Sequence, residues 1–125
     1  MKSSEGEQLF QGGNVGEMLK VYTEKGDSAF WLIPIKKKEL FMGVIIVKEP
    51  SILPDTYTVF PELKTKLFEP SQDEAYTKML EEYSQYPAKQ ITRPILVTGT
   101  AGYRWESKIF GKEGIEKIIR IHTHY

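Results

Sequence analysis

Two stretches of this chain repeat each other, and the repeat constrains the fold more than any other feature of the sequence. Residues 31–47 and 105–121 share five identities without a gap, where average composition gives about one by chance. The identical pairs are Trp31/Trp105, Ile35/Ile109, Lys38/Lys112, Glu39/Glu113 and Ile45/Ile119. Such a repeat predicts one supersecondary unit that is built twice.

The composition is that of a folded soluble domain. The chain has 125 residues, of which 40% are hydrophobic and 27% charged, so it can bury a core without covalent staples. Its 17 basic and 17 acidic side chains balance, which removes the overall attraction typical of nucleic-acid and membrane-surface binders. The absence of cysteine excludes disulfides and cysteine-ligated zinc. We predict a single domain over residues 1–125 and no cofactor.

The start of the chain predicts little regular structure. Residues 1–17 are polar and rich in glycine, which is typical of a partly mobile N-terminal arm. No apolar run has the length of a signal-peptide core or a membrane span. We therefore expect a soluble chain, either cytoplasmic or the trimmed soluble part of an extracytoplasmic protein, and the sequence leaves the compartment open.

Apolar alternation and turn residues predict six strands. A short extended piece is added at residues 56–60, inside a connection broken by prolines. Pro34 has no backbone N–H, so it predicts either an edge strand or a bulge. The six strands are expected at residues 18–23, 29–36, 40–48, 94–98, 103–110 and 115–123.

One amphipathic helix is predicted over about residues 72–86. Ser71 and Glu74 have the spacing of a capping box, in which each side chain bonds the backbone N–H of the other residue. Pro87 ends the pattern. Four apolar residues at helical spacing share one face, namely Tyr76, Met79, Leu80 and Tyr83.

Together these elements predict an α+β fold. The sheet is expected to be antiparallel with about six strands, formed by a duplicated three-stranded meander, with the helix packed on one face. The repeat units are expected at about residues 18–48 and 92–122.

The first copy of the repeat carries the predicted interaction surface. In the second copy one face of the strand is charged, whereas in the first copy both faces of residues 30–35 are apolar. Monomers seldom leave such a surface bare, so it is covered by the chain itself, by a partner or by a ligand. We predict a non-catalytic module that binds a protein or peptide, with a homodimer as one form of this. The predicted binding residues are Phe30, Trp31, Leu32, Pro34, Lys36, Lys37 and Lys38.

Two other function classes stay open. A pocket between sheet and helix would make the chain a small-ligand-binding domain or a small enzyme, with Tyr76, Tyr83, Tyr103 and Trp105 as its lining. The third class is single-stranded nucleic-acid binding, in which Phe30 and Trp31 would stack on bases and lysines 36–38 would contact phosphates. The balanced net charge argues against that third class.

No catalytic residue can be assigned from the sequence. It contains no Gly-x-Ser-x-Gly elbow, phosphate loop or dinucleotide fingerprint. His122 and His124 lie two apart on a predicted strand and could offer two imidazoles to a metal, but no third ligand is identified beside them. Their place at the end of the chain favours a solvated tail.

Residues 30–35, the charged loop after them and residues 43–47 resemble the strand pair of PepSY-like domains. That pair has an aromatic-rich W-x-(V/I)-P strand, a loop and a G-x-(I/V)-x-V strand. The helix over residues 73–86, with residues 93–97 and 103–106, looks like a second, diverged unit. The resemblance implies a non-catalytic extracytoplasmic module that binds proteins or modulates peptidases, and it supplies no catalytic residue.

Overall fold

The computed structural model describes residues 12–48 and 56–125, which contain eight strands and one α-helix. The strands are β1 Asn14–Val15, β2 Leu19–Thr23, β3 Ser28–Lys37, β4 Leu40–Val47, β5 Thr56–Lys64, β6 Ile95–Gly99, β7 Gly102–Gly111 and β8 Gly114–Thr123. Helix α1 is Gln72–Glu82, and a short 3-10 turn follows at Ala88–Gln90. The α+β class is confirmed. The expected number of about six strands is wrong, because β1 and β5 are added.

The chain divides into two compact units, residues 1–67 and 68–125. In the first unit the strands follow the order β5-β4-β3-β2, and β1 also pairs with β3. All of these pairs are antiparallel. In the second unit β6, β7 and β8 form an antiparallel meander.

Pro34 does not mark an edge strand, contrary to one of the two expectations for it. Strand β3 pairs with β4 along one side, and along the other side with β2 up to Leu32 and with β1 from Ile35 onward. Pro34 stands where the partner changes, so its missing N–H interrupts neither ladder. The bulge lies one residue further on, between Ile35 and Lys36.

Strand β5 continues through Pro61, which the sequence pattern treats as part of an irregular connection. Among the described residues β5 pairs only with β4, and its register shifts between Val59 and Lys64. Proline is tolerated at a strand edge and within a bulge because no ladder hydrogen bond is needed there. A nine-residue strand therefore replaces the expected short extended piece.

Helix α1 begins at the predicted capping box. The Ser71 hydroxyl accepts a hydrogen bond from the Glu74 N–H at 3.3 Å, and the Glu74 carboxylate accepts one from the Ser71 N–H at 3.0 Å. The helix ends at Glu82, four residues before the predicted end. The Tyr83 N–H still bonds the Met79 carbonyl, but the Tyr83 backbone itself, with φ −111° and ψ 42°, is no longer helical.

Helix α1 lies against one face of the second unit's meander. Just before the helix, the Pro70 carbonyl accepts the Trp105 indole N–H at 2.8 Å. Near its other end, the Lys117 ammonium lies 5.1 Å from the centre of the Tyr83 ring. Lys117 pairs with Ile109, which is four residues from Trp105 and therefore on the same face. The helix thus crosses this face, which we call the Trp105 face.

The hairpins β3–β4 and β7–β8 have corresponding registers. Each places a tryptophan opposite an aliphatic residue near the start of the pair, a bulge four residues later, and a two-residue turn at the tip. The corresponding features are the pairs Trp31–Val47 and Trp105–Ile121, the bulges after Ile35 and Ile109, and the turns Lys38-Glu39 and Lys112-Glu113.

Candidate functional site: a half-exposed sheet face in the first unit

One face of the first unit's sheet carries apolar side chains that keep partial contact with solvent. Residues directly opposite each other on neighbouring strands share a face, so the strand register defines this surface. We call it the Trp31 face. It consists of two rows of partly exposed residues across the strands: Lys20, Trp31 and Val47 in one, and Ile33, Ile45 and Tyr57 in the other; the next row, Ile35 and Gly43, is buried.

Lys20 gives this apolar surface a positive charge. Its ammonium lies 5.4 Å from the centre of the Trp31 ring and 5.8 Å from that of Tyr22. A cation near an aromatic face is attracted by the negative potential of the ring, which holds the charge close to Trp31. The Trp31 face is therefore apolar with a lysine ammonium at one side.

Three of the predicted binding residues lie on the opposite face of β3. Leu32 and Pro34 are fully buried, and Phe30 is half-buried. On neighbouring strands Val21 and Val44 are also fully buried, and they stand opposite Phe30 and Pro34. Leu32 and Pro34 thus contribute to the core of the molecule, and Trp31 is the predicted binding residue placed on the half-exposed side.

The three consecutive lysines do not form one cationic surface. Lys36 lies on β3, with its ammonium 5.1 Å from the centre of the Phe41 ring and 3.9 Å from the Glu39 carboxylate. Lys37 ends the strand, and Lys38 occupies the turn with a φ of 58°. Lys37 and Lys38 are exposed. This arrangement separates the lysines from Trp31, which the nucleic-acid hypothesis needs beside them.

The four predicted pocket residues take part in separate contacts in the second unit. Tyr76 donates a hydrogen bond from its hydroxyl to the Ile91 carbonyl at 3.3 Å. The Tyr83 ring has a cation–π contact with the Lys117 ammonium. Trp105 is buried and bonded to the Pro70 carbonyl. A shallow cavity of about 450 Å³ is lined by Tyr103 and the C-terminal residues 122–125, but Tyr76, Tyr83 and Trp105 do not contribute to it. The structure therefore does not bring the four together around one described cavity.

Tyr103 belongs to an aromatic cluster. Its ring lies 5.3 Å from Phe68 and 5.7 Å from Tyr125, and Phe68 in turn lies 5.9 Å from Trp105. Burial raises the pKa of the Tyr103 hydroxyl well above its usual value, and a hydrogen bond with Tyr125 adds to the effect. A hydroxyl held protonated in this way packs against its neighbours and is a poor general base.

His122 and His124 are both exposed, yet the end of the chain is tied down. His122 stands opposite Arg104 within the β7–β8 pair. The His124 carbonyl accepts a hydrogen bond from the Glu69 N–H at 2.8 Å. Within residues 12–48 and 56–125, no group of three or more His, Cys, Asp or Glu side chains is arranged to hold a metal ion.

The outer face of the second unit's meander differs from the Trp31 face. The Glu106 carboxylate accepts hydrogen bonds from Arg120 at 3.0 Å and from Arg104 at 3.4 Å. Ile118 on the same face is 41% exposed. This alternation of charged and apolar side chains is ordinary for a sheet face in contact with water.

Of the six members of the Trp31 face, only Trp31 is among the predicted binding residues, and Ile33 is its neighbour on the same side of β3. Lys20, Ile45, Val47 and Tyr57 come from three strands other than β3, and only the pairing register places them beside Trp31 and Ile33. The hairpin turn and the hydrophobic pattern of the two strands are the signals that could have identified Val47 and Ile45, because together they set which residue of β4 stands opposite Trp31.

Comparison of the chain with protein-family models, with curated proteins and with solved structures gave no match. In the part of the chain that the structure describes, no helix has both the length and the apolar character needed to cross a membrane.

Proposed function

We propose that this chain is a non-catalytic module that binds a protein or peptide through the Trp31 face. The observation that supports this is a contiguous, half-exposed surface with a tryptophan, a tyrosine and three β-branched aliphatic residues. Aromatic anchors within apolar surroundings are the groups that supply most of the free energy of protein–protein binding. An extended or helical segment of a partner would bury these side chains further.

The proposal includes an internal duplication. The corresponding registers of β3–β4 and β7–β8, with bulge and turn at equivalent positions, support two copies of one meander that have diverged in use. In the copy that contains Trp105, the tryptophan is buried beneath the chain's own helix. In the copy with Trp31 it keeps partial exposure. A binding module of this kind agrees with what the PepSY-like resemblance implies.

A selection from a random linear peptide library tests the proposed function. The library is selected on the immobilised native chain, and the recovered peptides are then titrated against three variants. Trp31→Ser and Val47→Thr each alter the Trp31 face. Ile118→Ser, which changes an exposed aliphatic residue on the second unit, is the matched control. Circular dichroism and thermal unfolding verify that every variant is folded.

The expected result is that recovered peptides bind the native chain and the Ile118 variant equally. They should lose more than about tenfold in affinity on the Trp31 variant, since a central aromatic anchor contributes at least that much. Val47→Thr should weaken binding to a smaller degree. Peptides that bind all variants alike, or a library that yields no binder, would refute the proposal. Light scattering tests the homodimer form of the proposal: the native chain should then have the mass of a dimer and the Trp31→Ser variant that of a monomer.

A further inference from the structure

Strand β8 has one side that pairs with no other strand in the part of the chain that the structure describes. Along its other side it pairs with β7 from Gly114 to Thr123. The strand has ten residues, and its Ile115 and Ile118 are 53% and 41% exposed. A long, apolar edge strand presents unpaired N–H and C=O groups on which another strand can be added. We call this side of the strand the β8 edge.

One backbone bridge shows how the β8 edge accepts a neighbour. Just beyond β8, the His124 C=O accepts a hydrogen bond from the Glu69 N–H at 2.8 Å, and the His124 N–H donates one to the Glu69 C=O at 3.4 Å. The bridge is antiparallel. Successive residues of a paired strand direct their backbone groups to opposite sides. His122, Arg120 and Ile118 therefore direct theirs to the same side as His124.

The features that usually protect an edge strand leave most of the β8 edge accessible. The bulge in the β7–β8 pair ends at Lys117, so the rest of the strand is regular. Strand β5, which pairs only with β4 among the described residues, contains Pro61, whereas β8 contains no proline. The Lys117 ammonium lies over the Tyr83 ring, and Arg120 donates to Glu106 at 3.0 Å. Both charges are thus held by groups of the same unit.

The sequence of β8 is complementary to itself in antiparallel pairing. A two-fold axis at Ile118 or at Ile119 places two isoleucines opposite each other and sets no like charges directly opposite. β-Branched residues are favourable cross-strand pairs. With the axis at Ile119, the aliphatic stem of Arg120 covers the exposed Ile118 of the second copy. An axis at Arg120 would oppose two arginines, which is unfavourable.

From these observations we propose that the β8 edge pairs with the β8 edge of a second copy of this chain, antiparallel and about a two-fold axis. The two meanders then form one continuous sheet. A two-fold contact uses the same surface on both copies and is closed, so neither β8 edge stays open. This surface is separate from the Trp31 face, and the inference does not depend on the proposed function.

Amide hydrogen exchange followed by NMR tests the inference on the native chain. In the monomer the N–H groups of Ile118 and Arg120 point away from β7 and should exchange quickly, whereas those of Ile119 and Ile121 point toward β7 and should exchange slowly. Raising the chain concentration should slow exchange at Ile118 and Arg120 by at least about tenfold once most of the chain is dimeric. Exchange at these two residues that does not depend on concentration would overturn the inference.

Light scattering over the same concentrations compares the native chain with two variants. Ile118→Pro removes an N–H that points away from β7, so it should be tolerated within the fold. Ile118→Val keeps that N–H and is the matched control. We expect the dissociation constant of the dimer to rise at least about tenfold for Ile118→Pro, because hydrogen bonds at the centre of the contact are lost. Ile118→Val should leave it nearly unchanged.

Circular dichroism verifies that both variants are folded, and if the proline variant is not, the exchange pattern of the native chain decides. A native chain that is monomeric at every concentration would overturn the inference. A dimer that folded Ile118→Pro leaves intact would do the same. If that dimer is split by Trp31→Ser instead, the β8 contact falls and the homodimer form of the proposed function stands.

Discussion

Trp105 donates its indole N–H to the Pro70 carbonyl oxygen, and the two atoms are 2.8 Å apart. The same oxygen accepts the Thr123 hydroxyl at 2.7 Å. Pro70 directly precedes Ser71, the N-cap of helix α1. A single carbonyl therefore links the start of the helix to both β7 and β8, and its two lone pairs are both used.

Replacing Thr123 by Val should lower the free energy of unfolding by about 1 kcal/mol. The change keeps the size of the side chain but removes one of the two hydrogen bonds to Pro70. Urea unfolding followed by far-UV circular dichroism measures the loss. Thr100→Val, in an exposed turn, should have little effect. Equal midpoints for native chain and Thr123→Val would show that this bond contributes no net stability.

Trp105→Phe should destabilise the chain by about 2–3 kcal/mol. It removes the second hydrogen bond to Pro70 and leaves a gap beside Phe68 in the core. Trp31→Phe is the matched control, because Trp31 is half-exposed, and we expect a loss of about 1 kcal/mol or less. Urea unfolding of both variants provides the comparison. A larger loss at Trp31 would contradict the different burial of the two tryptophans.

Ser107→Ala should raise the free energy of unfolding by about 1 kcal/mol. The Ser107 hydroxyl is buried and has no hydrogen-bond partner, and an unsatisfied buried polar group is costly. Ser84→Ala, beyond the end of the helix and exposed, should be close to neutral. Thermal unfolding by calorimetry gives both values. A loss of stability in Ser107→Ala would mean that the hydroxyl contributes more through packing than its burial costs.

Ser71→Ala should weaken helix α1 and lower the free energy of unfolding by about 1 kcal/mol. The variant removes the acceptor for the Glu74 N–H and half of the capping box. Glu74→Gln retains an oxygen that can accept the Ser71 N–H, so it should cost clearly less. Urea unfolding, followed by the circular dichroism of the helix at 222 nm, would detect the difference. Equal losses in the two variants would contradict the assigned capping geometry.

Tyr103 should make stability decrease at high pH. Its pKa is raised in the folded chain, first by burial and then by the hydrogen bond with Tyr125. Below about pH 10, the usual pKa of tyrosine, both folded and unfolded states are protonated and the stability is fully present. Above that pH the unfolded state ionises first, so the free energy of unfolding falls as pH rises.

Urea unfolding at about pH 8 and at about pH 10.5, on the native chain and on Tyr103→Phe, isolates this contribution from the lysines. The native chain should lose more stability between the two conditions than the variant does. Identical pH dependence of the two proteins would show that Tyr103 ionises equally well in the folded state.

Local rules were sufficient for the parts of the chain whose partners are close in sequence. The capping box at Ser71 fixed the start of helix α1, because both of its hydrogen bonds lie within four residues. The charged residues on one face of β7 indicated which side meets water, and on the other side Trp105 and Ile109 are buried. The turn residues between the predicted strands indicated where the two hairpins would turn, since turn chemistry is also local.

Tertiary structure decided the features that depend on long-range pairing. The sequence by itself determined the α+β class, the hairpins and the helix, whereas the partners of β1 and β5, the position of Pro34 between two ladders and the burial of Leu32 required the assembled sheet. Both faces of β3 are apolar, so periodicity could not tell the core side from the half-exposed side. The pairing register placed Lys20, Val47 and Tyr57 around Trp31 and Ile33. Pairing between strands decides which side chains from different strands share a face, and the order of residues along a single strand does not.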